Sequence, residues 1–234
     1  MKIVTMLCLL LSTTLVAADQ DASTGLARST FRLRLQTIDG EYVNSGWGTA
    51  FGVDLSSYGI SDAKYLLTAA HLVLKKSGKG LADGKLELEL PSGGSKAWAS
   101  CRVVAIDKKN DLCLLSCSST LPSLAQLSKS ESQKVGEAVA IVGCPAGVPP
   151  KVSMGKLTDK NPKVEGRLWE AAAQFYHGNS GGPVFDPASD VVIGVAVAGV
   201  SNGRGDMARN VALFYPINEV KKFLEGTCLP LLQQ

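Results

Sequence analysis

The segment YHGNSGGPVF, residues 176–185, places a serine between an asparagine and two glycines and then continues into an apolar run. A Gly-Asn-Ser-Gly-Gly cluster is typical of a turn between two strands. The same glycines would also let the backbone direct its N–H groups at a reacting oxygen while Ser180 attacks. The segment therefore has two interpretations, a simple turn or a catalytic loop, and the rest of the chain decides between them.

The composition favours a β-rich globular protein. Of the 234 residues, 45% are hydrophobic, which is enough for one or two compact domains with proper cores. The apolar runs are short and are separated by Gly, Pro, Asn and Ser, as in all-β proteins. The net charge of +3 is too small to indicate a nucleic-acid partner or a membrane-surface partner.

The N-terminus has the pattern of a signal peptide. Residues 1–18 contain one lysine, an uncharged and mostly apolar run, and Val16-Ala17-Ala18 before the predicted cleavage point. A membrane anchor is the alternative, but the segment is short for a span and no basic stop-transfer residues follow it directly. We therefore expect an exported protein, periplasmic or extracellular, with no membrane segment after cleavage.

Two clusters of short apolar segments predict the architecture. The first cluster covers 29–38, 46–55, 64–73, 85–91, 97–106 and 111–117, and the second covers 138–145, 151–158, 168–175, 181–186, 191–200 and 210–217. Short strands at this density favour closed barrels, so we expect an all-β fold of two six-stranded β-barrels. The strict alternation of KLELEL (85–90) predicts one solvated face. The apolar spacing over 216–226 adds a short C-terminal helix that ends at Gly226.

The expected domains follow from these segments. They are a signal peptide (1–18), a mature N-terminal segment (19–29), a first β-barrel (30–125), a second β-barrel with the C-terminal helix (126–226) and a tail (227–234).

The cysteines point to a disulfide rather than to a metal site. Once Cys8 leaves with the signal peptide, the remaining cysteines are Cys101, Cys113, Cys117, Cys144 and Cys228. An odd count leaves at least one of them unpaired in a monomer. Cys101 and Cys117 flank a predicted hairpin and could pair across it, and Cys117 with Cys228 is a competing pair. No Cys/His spacing resembles a metal site, and no metal or cofactor is expected.

Three residues that can carry chemistry stand in an informative order. His71 ends the apolar segment LLTAAHLV, Asp111 begins DLCLL, and Ser180 lies in GNSGG. Each of them alone is more typical of a structural position. Together they supply the base, the carboxylate and the hydroxyl that serine-dependent hydrolysis requires. The order His, Asp, Ser is that of the chymotrypsin arrangement and not that of subtilisin or the α/β-hydrolases.

The blocks TAAH, DLCLL and GNSGGPV resemble the three catalytic blocks of trypsin/chymotrypsin-like serine proteases, and the closest likeness is to HtrA/Deg-type trypsin-like peptidase domains. The resemblance covers about residues 30–225 and implies two orthogonal six-stranded β-barrels with the active site in the cleft between them. It implies that His71 is the general base and that Asp111 orients it. The N–H groups of Gly178 and Ser180 would form the oxyanion hole.

The same resemblance implies the substrate-binding residues. One wall of the S1 pocket would be formed by Val197, Ala198 and Gly199, whose backbone would pair with the substrate. The segment AAAQFY (171–176), which includes Gln174, would form another wall. Neither wall holds an acidic residue, so we expect a small or medium aliphatic P1 residue rather than Lys or Arg. His177 is either a surface-loop histidine or a pocket-rim residue that contacts an acidic or polar P1 side chain.

Two departures from the family pattern predict differences in regulation. Asn179 stands where digestive proteases carry an aspartate that pairs with a freshly cut N-terminus, so we expect no zymogen activation of the trypsin kind. HtrA-type proteins usually carry a PDZ domain after the protease domain, and we expect none here because the sequence ends shortly after the predicted helix.

The leading hypothesis is an exported serine endopeptidase that acts on polypeptide substrates. The alternative is a catalytically silent binding module with a protease fold, although no member of the predicted triad is missing. The tripeptide Arg-Gly-Asp at 204–206 would suit an adhesion protein, but it lies in a polar loop and such tripeptides occur by chance. The sequence leaves the oligomeric state open.

Overall fold

A computed structural model describes residues 27–36, 42–75, 77, 80–92, 95–161, 167–200, 208–209 and 211–231. The predicted signal peptide and the Arg-Gly-Asp tripeptide at 204–206 lie outside the described residues. Among the helices that are described, none is long and apolar enough to cross a membrane.

Six antiparallel strands form the first barrel. They are β1 (Thr30–Gln36), β2 (Tyr42–Gly52), β3 (Tyr65–Ala69), β4 (Lys85–Ser92), β5 (Ser95–Asp107) and β6 (Leu112–Cys117). The barrel closes in the order β1-β2-β3-β6-β5-β4. Alternate residues of these strands point inward, and the buried residues of one face, such as Leu33, Leu66, Leu88 and Leu115, pack together inside the barrel.

The second barrel repeats this arrangement. Its strands are β7 (Ala138–Gly143), β8 (Lys151–Asp159), β9 (Trp169–Ala172), β11 (Pro183–Asp186), β12 (Val191–Val200) and β14 (Val211–Pro216), closed in the order β11-β12-β14-β9-β8-β7. The prediction of two six-stranded barrels is confirmed. A short additional sheet, formed by β10 (Phe175–Tyr176) and β13 (Ala208–Arg209), was not predicted.

The outer face of β4 differs from the prediction. The alternation of KLELEL predicts that Glu87 faces water, but Glu87 is only 3% exposed. Arg34 on the neighbouring strand β1 lies 2.7 Å from the Glu87 carboxylate, and its guanidinium stacks on the Trp98 ring at 3.5 Å from the ring centroid. Charged and aromatic side chains from adjacent strands therefore cover a face that the sequence pattern predicts to be solvated.

The C-terminal helix, α1 (Ile217–Leu231), is longer than predicted. Val220, Leu224 and Cys228 recur every four residues and are buried on one face. The prediction that Gly226 ends the helix is wrong, because Gly226 lies inside α1. Packing of Cys228, one turn beyond Leu224, is the physical reason, because tertiary contacts stabilise a helix more than local propensity does.

A single cluster of buried side chains joins the two barrels and the helix. Leu67 and Leu112 contribute to it from the first barrel, Val195 and Leu213 from the second, and Val220 from α1. The two barrels therefore share part of their core. This shared core fixes the relative position of the loops that carry His71, Asp111 and Ser180.

Candidate active site

Three hydrogen bonds, one from Ala70 and two from His71, join this segment to Asp111 in the loop before β6. The Ala70 N–H donates to the Asp111 carbonyl oxygen at 2.9 Å, and the His71 N–H donates to Asp111 Oδ1 at 2.7 Å. The other carboxylate oxygen, Oδ2, lies 2.6 Å from His71 Nδ1. The pairing of Ala69 with Leu112 brings the two segments together at the ends of β3 and β6. One carboxylate thus fixes both the backbone and the ring of His71.

The backbone of Asp111 is in the left-handed region, with φ of 48°. Few residues other than glycine adopt this conformation, and Asp and Asn tolerate it best. Such conformations cost about 1–3 kcal/mol and persist where surrounding contacts enforce them. The side chains of His71 and Asp111 are 46% and 28% exposed, so solvent reaches the pair.

Ser180 lies in the loop between β10 and β11 and is partly buried. Its hydroxyl donates to the Val197 carbonyl oxygen at 3.3 Å, and its own carbonyl oxygen accepts a hydrogen bond from the Thr49 N–H at 3.0 Å. No hydrogen bond joins Ser180 to His71, although both residues are described. Catalytic hydrogen bonds are often long before substrate binds, so this geometry is compatible with a catalytic serine.

The Gly178 N–H is held in a defined direction. The preceding carbonyl, that of His177, accepts a hydrogen bond from the Ala146 N–H at 2.7 Å. Because the peptide is trans, the Gly178 N–H points the opposite way. Gly178 has φ of 101°, which only glycine adopts readily, and an added Cβ would collide with the Cys144 carbonyl.

The Ser180 N–H is oriented in the same manner. The Asn179 carbonyl oxygen accepts a hydrogen bond from the Gly182 N–H at 3.0 Å, which turns the Ser180 N–H away from Gly182. Within the described part of the chain, neither the Gly178 N–H nor the Ser180 N–H donates a hydrogen bond. Two free N–H groups, one of them that of the candidate nucleophile Ser180, are the donors that an oxyanion hole requires.

Thr49 on β2, which the sequence analysis did not identify, contacts this loop from the other barrel. Its hydroxyl donates to the Gly178 carbonyl oxygen at 2.6 Å and accepts a hydrogen bond from the Cys144 N–H at 2.9 Å. Its carbonyl oxygen accepts a hydrogen bond from the Thr68 hydroxyl at 2.6 Å. Thr49 is completely buried. Nothing in the local sequence around Thr49 signals these contacts, because every partner is distant along the chain.

The residues predicted to bind substrate lie in different environments. Val197 is buried beside Ser180, whereas Ala198 is half-buried and Gly199 is buried further along β12. Gln174 is half-buried, and its Oε1 accepts a hydrogen bond from the Tyr176 hydroxyl at 2.9 Å. His177 is exposed. Among the described residues, no three His, Cys, Asp or Glu side chains are grouped as metal ligands would be.

The model of the trypsin-like peptidase domain family matches residues 48–195, a span that contains His71, Asp111 and Ser180. The chain belongs to the trypsin-like peptidase family. This confirms the resemblance to trypsin-like peptidases that the three sequence blocks predict, and the relatives to which the chain is similar are named as DegP-like and HTRA-type serine proteases.

Two curated relatives illustrate the likeness. A probable periplasmic serine endoprotease DegP-like from Halomonas elongata (strain ATCC 33173 / DSM 2581 / NBRC 15536 / NCIMB 2198 / 1H9) is 30% identical over 142 residues, which are 58% of this chain and 28% of the relative. Serine protease HTRA4 from Mus musculus is 28% identical over 182 residues, 73% of this chain and 33% of the relative. The peptidase domain thus spans about a third or less of the length of these relatives.

A solved structure supports the fold. The HtrA-type protease AlgW with tripeptide superimposes with a TM-score of 0.65 at 22% identity. The match covers 85% of this chain and 60% of that chain. At this identity the comparison shows a shared architecture, the chymotrypsin-like pair of barrels, and no more.

Proposed function

We propose that this chain is a serine endopeptidase in which Ser180 is the nucleophile, His71 the general base and Asp111 the residue that orients His71. The observation that carries the proposal is the double hydrogen bond of the Asp111 carboxylate to the backbone and ring of His71. A carboxylate on Nδ1 keeps the proton on that nitrogen and leaves Nε2 free to accept a proton.

The proposed reaction begins when the Ser180 hydroxyl turns from the Val197 carbonyl towards His71. Oγ attacks the scissile carbonyl carbon, and His71 Nε2 takes the hydroxyl proton and later gives it to the leaving amine. The negative charge on the tetrahedral intermediate would be held by the N–H groups of Gly178 and Ser180. Loss of one such donor typically costs about 3 kcal/mol of transition-state stabilisation. Water then hydrolyses the acyl-enzyme by the same steps in reverse.

The proposed substrates are polypeptides with a small or medium aliphatic P1 residue. The tripeptide in the AlgW structure is consistent with peptide recognition in this fold. The backbone of β12 at Val197, Ala198 and Gly199, which are buried, half-buried and buried, would pair with the substrate backbone as an added strand. The predicted S1 wall segments 171–176 and 197–199 contain no Asp or Glu, so they offer no carboxylate to Lys or Arg. His177, which is exposed, would lie at the pocket rim.

We propose that no N-terminal cleavage activates this peptidase domain. Asn179 is only 2% exposed, and its Oδ1 has no hydrogen-bond partner among the described residues. Its atoms lie 2.7–2.8 Å from where a Cβ on Gly143 would sit, so the side chain packs tightly against the Gly143 backbone. A neutral amide tolerates this site, whereas a buried carboxylate would require a charged partner.

We also propose export with removal of residues 1–18, which the naming of relatives as periplasmic supports. In an oxidising compartment, Cys101 and Cys117 would form a disulfide. They face each other on β5 and β6. The Cys117 N–H donates to the Lys64 carbonyl, on the side of β6 away from β5, so Cys101 and Cys117 form a pair without backbone hydrogen bonds between them. Such pairs have Cα atoms about 4.5 Å apart, within the range that disulfides accept. Cys228 packs in a different core cluster.

Labelling with a fluorophosphonate probe tests the proposed catalytic site. The purified chain should be labelled, and Ser180→Ala should abolish labelling while leaving the melting temperature unchanged. Ser189→Ala, which removes an exposed turn hydroxyl bonded to Asp186, is the matched control and should be labelled like the wild type. A folded wild type without label would favour the binding module, for which the bond from Ser180 to Val197 is the supporting observation.

A further inference from the structure

We propose that Thr49 is a positioning residue for the oxyanion hole. The inference rests on the proposed peptidase function. Thr49 belongs to the first barrel, yet its hydroxyl bonds to two backbone groups of the second barrel, the Gly178 carbonyl and the Cys144 N–H. Its own N–H bonds to the Ser180 carbonyl. One side chain therefore links the strand of one barrel to the nucleophile loop of the other.

The hydroxyl of Thr49 satisfies two buried groups at once. Gly178 and Cys144 are both buried, so neither can replace the lost partner with bulk water. Leaving a buried donor or acceptor unpaired costs its full desolvation penalty, which a loop avoids by changing conformation. Removing the hydroxyl would therefore release the Gly178 peptide from its present orientation.

The orientation of the Gly178 N–H depends on anchors at both sides of the residue. The preceding peptide is held by the Ala146 N–H on the His177 carbonyl, and the following peptide is held by Thr49 on the Gly178 carbonyl. The φ of 101° is the result of these two constraints, because glycine itself allows several conformations. Without Thr49, Gly178 relaxes and its N–H no longer points where the oxyanion forms.

This role predicts a specific kinetic effect. Full negative charge on the substrate oxygen exists only in the transition state and the tetrahedral intermediate, so a misaligned donor lowers kcat and leaves KM almost unchanged. Thr49 has no place in the wall of the pocket, since it is completely buried. A purely structural threonine would lower the melting temperature without this separation of kcat from KM.

The test compares Thr49→Val, which is nearly isosteric and lacks the hydroxyl, with Thr49→Ser, which retains it. With a peptidyl-alanine thioester as substrate, we expect kcat of Thr49→Val to fall about 10- to 100-fold, while KM stays within about threefold. Thr49→Ser should retain kcat within about threefold. The affinity for a peptide boronic acid, which mimics the tetrahedral intermediate, should fall in parallel with kcat.

Thr30→Val is the matched control, because Thr30 is a buried threonine of the same barrel whose hydroxyl has no hydrogen-bond partner among the described residues. It should leave kcat and KM unchanged. If Thr49→Val fails to fold, Thr49→Cys carries the test, since a thiol is a weaker donor and should give a kcat below that of Thr49→Ser. Equal kcat in the valine, serine and wild-type proteins would overturn the inference, as would an equal loss in both variants.

A second readout separates this inference from the proposed function. If the wild type hydrolyses no thioester and takes no fluorophosphonate label, the proposed function fails. The role of Thr49 is then judged from the amide resonances of the folded proteins. Thr49→Val should shift the Gly178 amide and accelerate hydrogen exchange at Cys144, and Thr49→Ser should do neither. Unchanged Gly178 and Cys144 amides in Thr49→Val would refute the positioning role whether or not the chain is active.

Discussion

Replacement of Asp111 by Asn tests the proposed catalytic geometry most directly. The Asp111 carboxylate accepts two hydrogen bonds, from the His71 N–H and from Nδ1. An amide has a single acceptor oxygen, so Asn can serve only one of these donors. If its oxygen keeps the backbone N–H, its NH₂ faces Nδ1 and forces the ring proton onto Nε2. Neutral His71 is then in the tautomer that cannot accept the Ser180 proton.

The magnitude follows from this change of tautomer. We expect kcat/KM of Asp111→Asn to fall about 10⁴-fold near pH 7, the size of effect typical of a triad with the wrong tautomer. That loss corresponds to about 5–6 kcal/mol of transition-state stabilisation. The fold should survive, because Asn tolerates the left-handed backbone of Asp111 as well as Asp does. Asp111→Ala would add backbone strain and is the less informative variant.

The assay is steady-state hydrolysis of the peptidyl-alanine thioester, with the melting temperature measured beside it. Asp186→Asn is the control, because Asp186 also caps an exposed turn but lies on the second barrel away from His71. It should retain wild-type activity. An Asp111→Asn protein that is folded and within tenfold of the wild-type kcat/KM would refute the assignment of Asp111 as the orienting carboxylate.

Three further predictions concern stability and redox state. Incubation with oxidised glutathione should link Cys101 to Cys117, and mass spectrometry should detect the loss of two hydrogen atoms. The disulfide should stabilise the fold by about 3 kcal/mol. Cys117→Ser should abolish the link and Cys113→Ser should not. Burial raises the pKa of Glu87, but the hydrogen bonds from the Lys85 and Arg34 side chains together lower it by more than burial raises it. The net pKa of Glu87 therefore lies below 4.5. Its stabilising contribution is therefore complete above pH 4.5 and lost as pH falls through the folded pKa. Urea denaturation midpoints measured against pH should show this decrease in the wild type and lack it in Glu87→Gln. Gly181→Ala places a Cβ against the Thr49 carbonyl at φ of 84° and should cost about 1–3 kcal/mol, seen as a lower denaturation midpoint.

The strands and the motif residues could be predicted from sequence because both are local patterns. Most strand segments carry period-two or continuous apolar runs, and the structure places twelve of them in the two barrels. The two-residue strands at Phe175 and Ala208 could not be found, because such short pairs have no periodicity. The alternation of KLELEL predicts which residues of β4 lie on the same face. It does not predict that the face with Glu87 is buried, because Arg34 reaches Glu87 from a strand that is distant along the chain.

The support of the candidate site could not be predicted for the same reason. His71, Asp111 and Ser180 sit in recognisable blocks, whereas Thr49 acts through contacts across the interface of the two barrels and Ala146 through a contact with His177, which is distant along the chain. Thr49 is 129 positions from Gly178, so no local pattern links them. The positive φ of Ala146 likewise cannot be predicted from the sequence Pro-Ala-Gly. It accompanies the hydrogen bond that the Ala146 N–H donates to the His177 carbonyl, a residue distant along the chain.

The shared core has a consequence for the lifetime of the protein. Because buried side chains of both barrels and of α1 pack in one cluster, neither barrel can open fully without exposing the interior of the other. Segments inside a cooperative unit become cleavable only when the whole unit opens. Self-digestion by the proposed peptidase should therefore follow the population of globally unfolded chains and not local fraying. A destabilising mutation in the core of either barrel should therefore increase the rate at which both barrels are cleaved, and by the same factor.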